Sequence, residues 1–306
     1  MTPAAAGGVG SEREPPPAGV DFIDRWLRGG PDLAPHLLLV GRTGSGKTTA
    51  ARAVIYQALR AALFDIVVLD WDNEYSDLLP LPVYEPPFPL AAPPALLADA
   101  LAEVEREEGG GHMVAAYLRK ALAAATPEKA AEQLRRDIST SYSLKGVLEA
   151  AAARLETVAK YVEFASLGTE SEVEGLSEGI YLLSEIPSIW ERASVQQFLG
   201  IYHVLSRRSP VSSLLVIEEG GMGARTTFLR HLLALARRRK VRVIFVTQGP
   251  LPPPELRSSF EILLFDCDWE LRRSLRAPIL DSPLKPGECW WVRRGGEPKK
   301  QKFKVR

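Results

Sequence analysis

Short apolar runs punctuate the chain, and most are continuous rather than alternating: 37–40 (LLLV), 64–70 (FDIVVLD), 179–184 (GIYLLS), 212–219 (SSLLVIEE), 241–248 (VRVIFVTQ) and 262–265. A continuous run rich in β-branched residues suits a parallel strand buried on both faces. Residues 289–292 finish the sheet. Between these runs lie stretches with helical spacing. Residues 49–61 are Ala-rich and free of Gly and Pro; 190–207 carry Val195, Phe198, Leu199, Tyr202 and Leu205 on one face; 226–240 and 269–276 complete the set. Strands alternating with helices predict an α/β fold with a mostly parallel sheet covered on both sides.

The texture changes in the middle. Residues 80–94 hold many prolines and are expected to be irregular. From 94 to 175 the chain is rich in Ala, Leu and Glu. Helices are predicted over 95–108 and 113–124, from the Thr126-Pro127 start, where a cap residue precedes proline, and over 144–164. The expected organisation is an α-helical insertion, 94–175, dividing a core made of 32–93 and 176–306. Residues 1–31, Pro- and Gly-rich, are expected to be a disordered leader with a short amphipathic turn at 21–28.

With 306 residues and a formal net charge of zero, the molecule is no polyelectrolyte, so any nucleic-acid contact must come from local basic patches. No apolar run approaches the roughly 20 residues that span a bilayer. The first residues lack the apolar core of a signal peptide. These features predict a soluble, cytoplasmic protein without direct membrane insertion. Cys267 and Cys289 make neither a disulfide framework nor a metal site. His36, His112, His203 and His231 are too scattered for a metal site or a triad.

The first strand runs into Gly41-Arg42-Thr43-Gly44-Ser45-Gly46-Lys47-Thr48, which fills every fixed position of the pattern G-x-x-x-x-G-K-[ST]. Glycines let the backbone turn and aim N–H groups at phosphate oxygens. Lys47 reaches the outer phosphates, and the Thr48 hydroxyl ligates Mg²⁺. The helix that starts at about Thr49 turns its positive end to the phosphates. The candidate nucleotide-binding residues are therefore Gly41, Thr43, Gly44, Ser45, Gly46, Lys47, Thr48 and Thr49, for ATP and Mg²⁺.

Hydrolysis also needs an acid on the metal side and a group that activates water. Glu218 and Glu219 end an apolar strand, at the sheet edge where α/β folds bind ligands. Glu218 is expected to hold Mg²⁺, directly or through water, and Glu219 to act as general base. Gln248 ends the next strand; its amide can both donate to a γ-phosphate oxygen and accept from water. Asp70, Asp72 and Glu74 follow the second strand. A calcium loop is rejected there, because Tyr75 and Leu81 stand where an EF-hand needs Gly and Glu. A site-facing role is plausible for Asp70, while Asp72 and Glu74 suit plain loop solvation equally well. The densest basic cluster is Arg237, Arg238, Arg239 and Lys240, then Arg242. A helix C-terminus favours such cations by itself. The sharper reading gives one arginine to a neighbouring subunit's γ-phosphate and the others to nucleic-acid phosphates. The basic tail 293–306 suits an edge strand protected by lysines.

In order, these motifs resemble the HerA/FtsK superfamily, most closely its HerA branch. His36 with LLLVGRTGSGKT is similar to that family's strand and phosphate loop, LDWDNEYS to its acidic segment, and GIYLLSEI to the strand that follows. VIEEGGMG is similar to its paired acids, ALARRRKVRVIFVTQGP to its arginine-bearing helix and Gln-terminated strand, and LKPGECWWV to its closing strand. The resemblance implies a RecA-like core, a hexameric homo-oligomer with ATP sites at subunit interfaces, and translocation of double-stranded DNA. It implies Lys47, Glu219, Gln248 and Arg237 as catalytic residues, with Thr48 and Glu218 at the metal. Arg237 aligns best with the family's arginine, and Arg238 and Arg239 leave that register open. Gly249 stands in place of the usual Arg, and Gly220-Gly221 in place of Ala-His. Nothing before residue 35 has room for the family's N-terminal β-barrel, which weakens the expectation of a nuclease partner. The ATPase of a conjugation, DNA-transfer or viral packaging machine is an alternative, and a nucleotide-dependent switch with little turnover is another.

Overall fold

The continuous apolar runs are strands of one mostly parallel sheet. The chain's structure is a computed structural model. It describes residues 18–30, 32–78, 80–91, 93–105, 111–123, 126–138, 145–165, 175–219, 226–249, 251–267, 269–275, 284, 288–292 and 298–302. The strands are β1 (His36–Val40), β2 (Phe64–Asp70), β3 (Val83–Tyr84), β4 (Phe88–Ala91), β5 (Val162–Ala165), β6 (Gly179–Leu182), β7 (Ser212–Ile217), β8 (Val241–Thr247), β9 (Phe260–Leu264), β10 (Glu288–Val292) and β11 (Lys299–Lys302). The large sheet has the order β11-β10-β9-β1-β8-β7-β2-β6-β3. Only the β9–β10 and β10–β11 pairings are antiparallel. This is the doubly covered α/β core of a RecA-like P-loop fold.

Alternation within each strand divides two cores. Leu37, Leu39, Ile66, Val68, Leu214, Val216, Ile244 and Val246 face one side, against α1 (Ala18–Leu27) and α2 (Lys47–Ala61). Leu38, Val40, Val67, Leu69, Leu215, Ile217, Val243 and Phe245 face the other. That second core runs without a break into α3 (Pro94–Glu105), α4 (Gly111–Leu122), α5 (Pro127–Ile138), α6 (Lys145–Tyr161), α7 (Ile189–Ser206) and α8 (Thr226–Arg238). The helical segment is therefore fastened to the sheet by shared apolar packing, mainly of α3 and α6 on α7. Its root is the β4–β5 pair, and the Tyr202 hydroxyl donates to the Ala91 carbonyl at 2.6 Å.

Two expectations change. Residues 80–94 are not wholly irregular: β3 extends the large sheet, and β4 pairs with β5. Pro89 fits because it faces out between buried Phe88 and Leu90 on a two-stranded edge, where a missing N–H costs little. Nor is the leader disordered up to residue 31. α1 buries Phe22, Ile23, Trp26 and Leu27, and the Trp26 indole donates to the Ala34 carbonyl at 3.0 Å. The Arg242 guanidinium lies 5.1 Å over the Trp26 ring, closing the helix onto the sheet. Residues 1–17 lie outside the described residues, as do Gly220-Gly221 and most of the tail. In the described part of that tail, β11 is the edge strand, with Lys300 paired to Glu288 at 2.7 Å.

Candidate active site at the strand ends

The phosphate loop leaves β1 at Gly41, where no side chain fits. A Cβ there would lie 2.7 Å from Ser45 Oγ and 2.8 Å from Phe265 Cβ. Gly44 and Gly46 have φ of +74° and +101°, values that only glycine adopts without strain. Gly46 caps α2, whose first turn carries no acid, so its positive end stays uncompensated. Lys47 is buried and donates to the Arg42 carbonyl at 2.9 Å. Burial lowers its pKa, and Glu219, Glu218 and Glu74 oppose that shift.

The paired acids follow β7 directly. Glu218 Oε1 accepts from the Thr48 hydroxyl at 3.3 Å and the Tyr75 hydroxyl at 3.2 Å. Its Oε2 is buried with no hydrogen-bond partner among the described residues. Burial, then the neighbouring Glu74 and Asp70, push the Glu218 carboxyl up to about 9. Glu219 has a φ of +48°, a left-handed conformation uncommon outside glycine. The Gln248 amide donates to Glu219 Oε1 at 2.6 Å and accepts from the Thr43 hydroxyl at 2.8 Å. One amide thus joins the phosphate loop to the second acid. A cavity of about 240 Å³ is lined by Thr43, Gly44, Gly46, Lys47, Thr48, Thr49, Asp72, Glu74, Glu218, Glu219 and Gln248. Gly41 and Ser45 do not line it; they shape the turn beneath it.

Several site residues escaped the sequence reading or were placed differently. Glu74 reaches the cavity and accepts a hydrogen bond from the Thr48 hydroxyl. Asp70 turns away: it is fully buried, and its carboxylate accepts from the Glu74 and Tyr75 backbone N–H groups at 3.0 and 2.9 Å. It builds the turn that delivers Glu74 and Tyr75. Gln196 on α7 donates to the Glu218 carbonyl at 2.7 Å and fixes the backbone of that acid. In the sequence, Gln196 sits among core-facing positions, and nothing local marks it.

Arg237 lies elsewhere. α8 ends where β8 begins, at the edge opposite the cavity, and β8 is seven residues long. At about 3.3 Å per residue that separation is roughly 20 Å. The charge of Arg237 acts instead on His36 at the start of β1, whose pKa falls to about 3 through burial first and Arg242 next. Arg237, Arg238 and Arg239 are all exposed, so none can serve the cavity of its own chain.

The donor set fits Mg²⁺ held beside a triphosphate. The buried Glu218 Oε2, without a hydrogen-bond partner among the described residues, and the neighbouring Thr48 hydroxyl are oxygen donors that a cation could take. Among the described residues no group of three or more His, Cys, Asp or Glu side chains forms a ready-made cage. Magnesium needs none, because it keeps water and phosphate oxygens as ligands.

A sequence model of the family described as "Helicase HerA, central domain" matches residues 27–172. The match runs through the phosphate loop and all four helices of the middle segment. None of the curated proteins matches the chain. Among solved structures, VirB4 of Thermoanaerobacter pseudethanolicus superposes with a TM-score of 0.61 at 13% identity, covering 92% of each chain. The unbound bacterial conjugative coupling protein TrwBdeltaN70 gives 0.61 at 15% identity, over 90% of this chain and 86% of that one. Plasmid coupling protein TrwB in complex with the non-hydrolysable ATP analogue ADPNP gives 0.58 at 15% identity, over 89% and 86%. At such identities the structural likeness is one of fold. Residues 27–172 thus match the HerA central-domain family, and the chain as a whole shares the fold of VirB4 and TrwB.

Proposed function

We propose that the chain hydrolyses ATP and uses it to move double-stranded DNA, working as a hexameric ring of identical copies. One observation carries the hydrolytic part: the Thr43–Gln248–Glu219 bonds and the Thr48–Glu218 bond close around a single cavity. Loop backbone, Lys47 and the start of α2 bind the phosphates. Thr48 and Glu218 would hold Mg²⁺, and the chemistry it would supply is neutralisation of phosphate charge. Glu219 takes the proton of the attacking water as oxygen bonds to the γ-phosphorus and the bond to the ADP oxygen breaks. Gln248, already bonded to both the loop and Glu219, reports whether the γ-phosphate is present. Arg237 from a neighbouring copy supplies transition-state charge, with Arg238 or Arg239 as the alternative register. The remaining exposed arginines suit DNA phosphates.

A second reading, the ATPase of a conjugation or packaging machine, draws on the fold shared with VirB4 and TrwB. Among the described residues no helix is long and apolar enough to cross a membrane. The test is the ATPase rate with and without duplex DNA, measured beside native mass. The proposal expects DNA-stimulated turnover by a multi-copy assembly. One rate regardless of DNA, from a chain that stays monomeric with nucleotide, would refute it. Tight ATP binding without turnover, indifferent to Glu219→Gln, would point to a switch instead.

A further inference from the structure

We propose that Glu74 is a second acid on the metal side of this cavity, facing the same Mg²⁺ as Glu218, and that it makes nucleotide binding depend on the divalent cation. This rests on the ATPase reading above and adds to its site a residue and a metal requirement.

An exposed acid in a turn usually means solvation, but the turn that carries Glu74 is held from three sides. Asp70 accepts from the Glu74 and Tyr75 N–H groups at 3.0 and 2.9 Å. Arg192 of α7 donates to the Trp71 carbonyl at 3.0 Å, and Arg52 of α2 to the Glu74 carbonyl at 2.8 Å. Arg52 also holds Asp77 at 2.7 Å. Between these anchors Asn73 has a φ of +59°, a left-handed value that asparagine accepts more readily than most residues. Thr48 and Arg52 stand one turn apart on α2. That turn grips the Glu74 backbone through Arg52 and the Glu74 carboxylate through the Thr48 hydroxyl. The acid is thereby fixed to the helix that begins at the phosphate loop.

The oxygens gathered there outnumber the hydrogens available to them. Glu74 Oε2 and Glu218 Oε1 both lie within reach of the Thr48 hydroxyl, which has one hydrogen to give. The Tyr75 hydroxyl supplies another to Glu218 Oε1 at 3.2 Å. Glu218 Oε2, on a residue only 3% exposed, has no partner among the described residues. Two carboxylates around one hydroxyl are stable only with positive charge among them, a proton or a metal ion. A nucleotide can arrive with the metal ion. The rest of the cavity does not suit a bare triphosphate. Asp72, Glu74, Glu218 and Glu219 line it, and among the described residues Lys47 is its only cation. Free ATP would set more negative charge against those acids, and like charges in a partly buried site repel strongly. Glu74 beside Glu218 thus disfavours the free nucleotide and favours its magnesium complex.

The test uses the full chain and a fluorescent, non-hydrolysable ATP analogue, titrated in chelator and at a series of Mg²⁺ concentrations. Bound Mn²⁺ is followed by electron paramagnetic resonance with the same analogue present. The wild type should bind the analogue at least about tenfold more weakly in chelator. Glu74→Gln keeps an oxygen for the Thr48 hydroxyl and loses only the charge. It should raise the Mg²⁺ and Mn²⁺ needed for half-saturation about tenfold, while binding in chelator holds or tightens. Glu74→Asp, which keeps the charge, should fall between the two. Asp72→Asn removes an equal charge from the same lining and should shift the metal requirement far less. The proposal is overturned by an unshifted requirement in Glu74→Gln, by an equal shift in Asp72→Asn, or by a wild type that binds the analogue equally well in chelator. Binding that weakens equally with and without metal would make Glu74 a mere prop of the loop and overturn it too. If the wild type hydrolyses ATP and Glu74→Gln shows no shift, only the metal role falls. If the requirement shifts as stated but the wild type never releases phosphate from ATP, the metal role stands and the ATPase reading falls.

Discussion

The two ends of the same strands obey opposite electrostatic rules. At the strand ends, carboxylates are buried around Lys47: Glu218 is 3% exposed and Glu219 9%. At the strand starts, Arg237 to Lys240 are exposed, the buried Arg207 and Glu261 are each held by partners, and the buried histidines stay neutral. Burial drives His36 and His203 down to about 3. His203 is hydrogen-bonded on both ring nitrogens, to the Leu176 N–H at 3.2 Å and the Ser213 hydroxyl at 2.8 Å. Buried charge is expensive unless paired. The strand-start edge limits that cost by leaving Arg237 to Lys240 hydrated, pairing Arg207 with Asp65 and keeping its histidines uncharged. The strand-end edge instead gathers acids around one lysine, with Glu218 kept protonated by burial and its acidic neighbours, a strain that a ligand's positive charge would relieve.

This contrast can be broken from either end. The largest effect is expected at the far edge. Arg237→Ala should cut turnover by roughly 10³-fold or more while single-chain ATP binding stays unchanged. Mixed with wild type, it should poison the assembly. If Arg238→Ala does this instead, the register is one residue off; if no arginine does, the edges do not cooperate. At the near edge, Glu219→Gln should retain ATP binding and lower the rate about 10²- to 10⁴-fold, measured by single-turnover hydrolysis. Lys47→Ala should lower it by roughly 10²- to 10³-fold and weaken binding as well, read by nucleotide titration.

The smallest effect is thermodynamic. Glu218 is protonated in the fold up to about 9, and its carboxyl is ionised in the unfolded chain above about 4.5. The folded state therefore binds the extra proton, and stability should fall as pH rises through that window, by at most about 1.4 kcal/mol per pH unit. The histidines act in the opposite sense, but only below about 6.5, where the unfolded imidazoles charge. Melting temperature followed from pH 7 to 9 in chelator isolates Glu218. It should decline, flatten in Glu218→Gln, and recover when Mg²⁺ and nucleotide are added.

Much of this edge was legible in the sequence because its parts are local. A phosphate loop is a contiguous pattern, and Glu219 and Gln248 follow apolar runs that announce strands. What long-range packing decides was not legible. In the sequence a site-facing role falls to Asp70, and Glu74 suits loop solvation equally well, yet Asp70 is spent on two backbone N–H groups while Glu74 reaches Thr48. Gln196 and Tyr75 act on Glu218 from a helix and a turn far away in sequence. α1 was underestimated because Pro and Gly dominate its surroundings, although Phe22, Ile23, Trp26 and Leu27 carry the spacing of a buried helical face. The strand at Phe88 was hidden by its own proline.

The most direct measurement is a structure of the full chain with Mg²⁺ and a non-hydrolysable ATP analogue. Lys47, Glu218, Glu219 and Gln248 should all lie within contact distance of the metal or the terminal phosphate, the orphaned Glu218 oxygen now partnered. A nucleotide bound elsewhere, or a terminal phosphate out of reach of Glu219 and Gln248, would contradict the account.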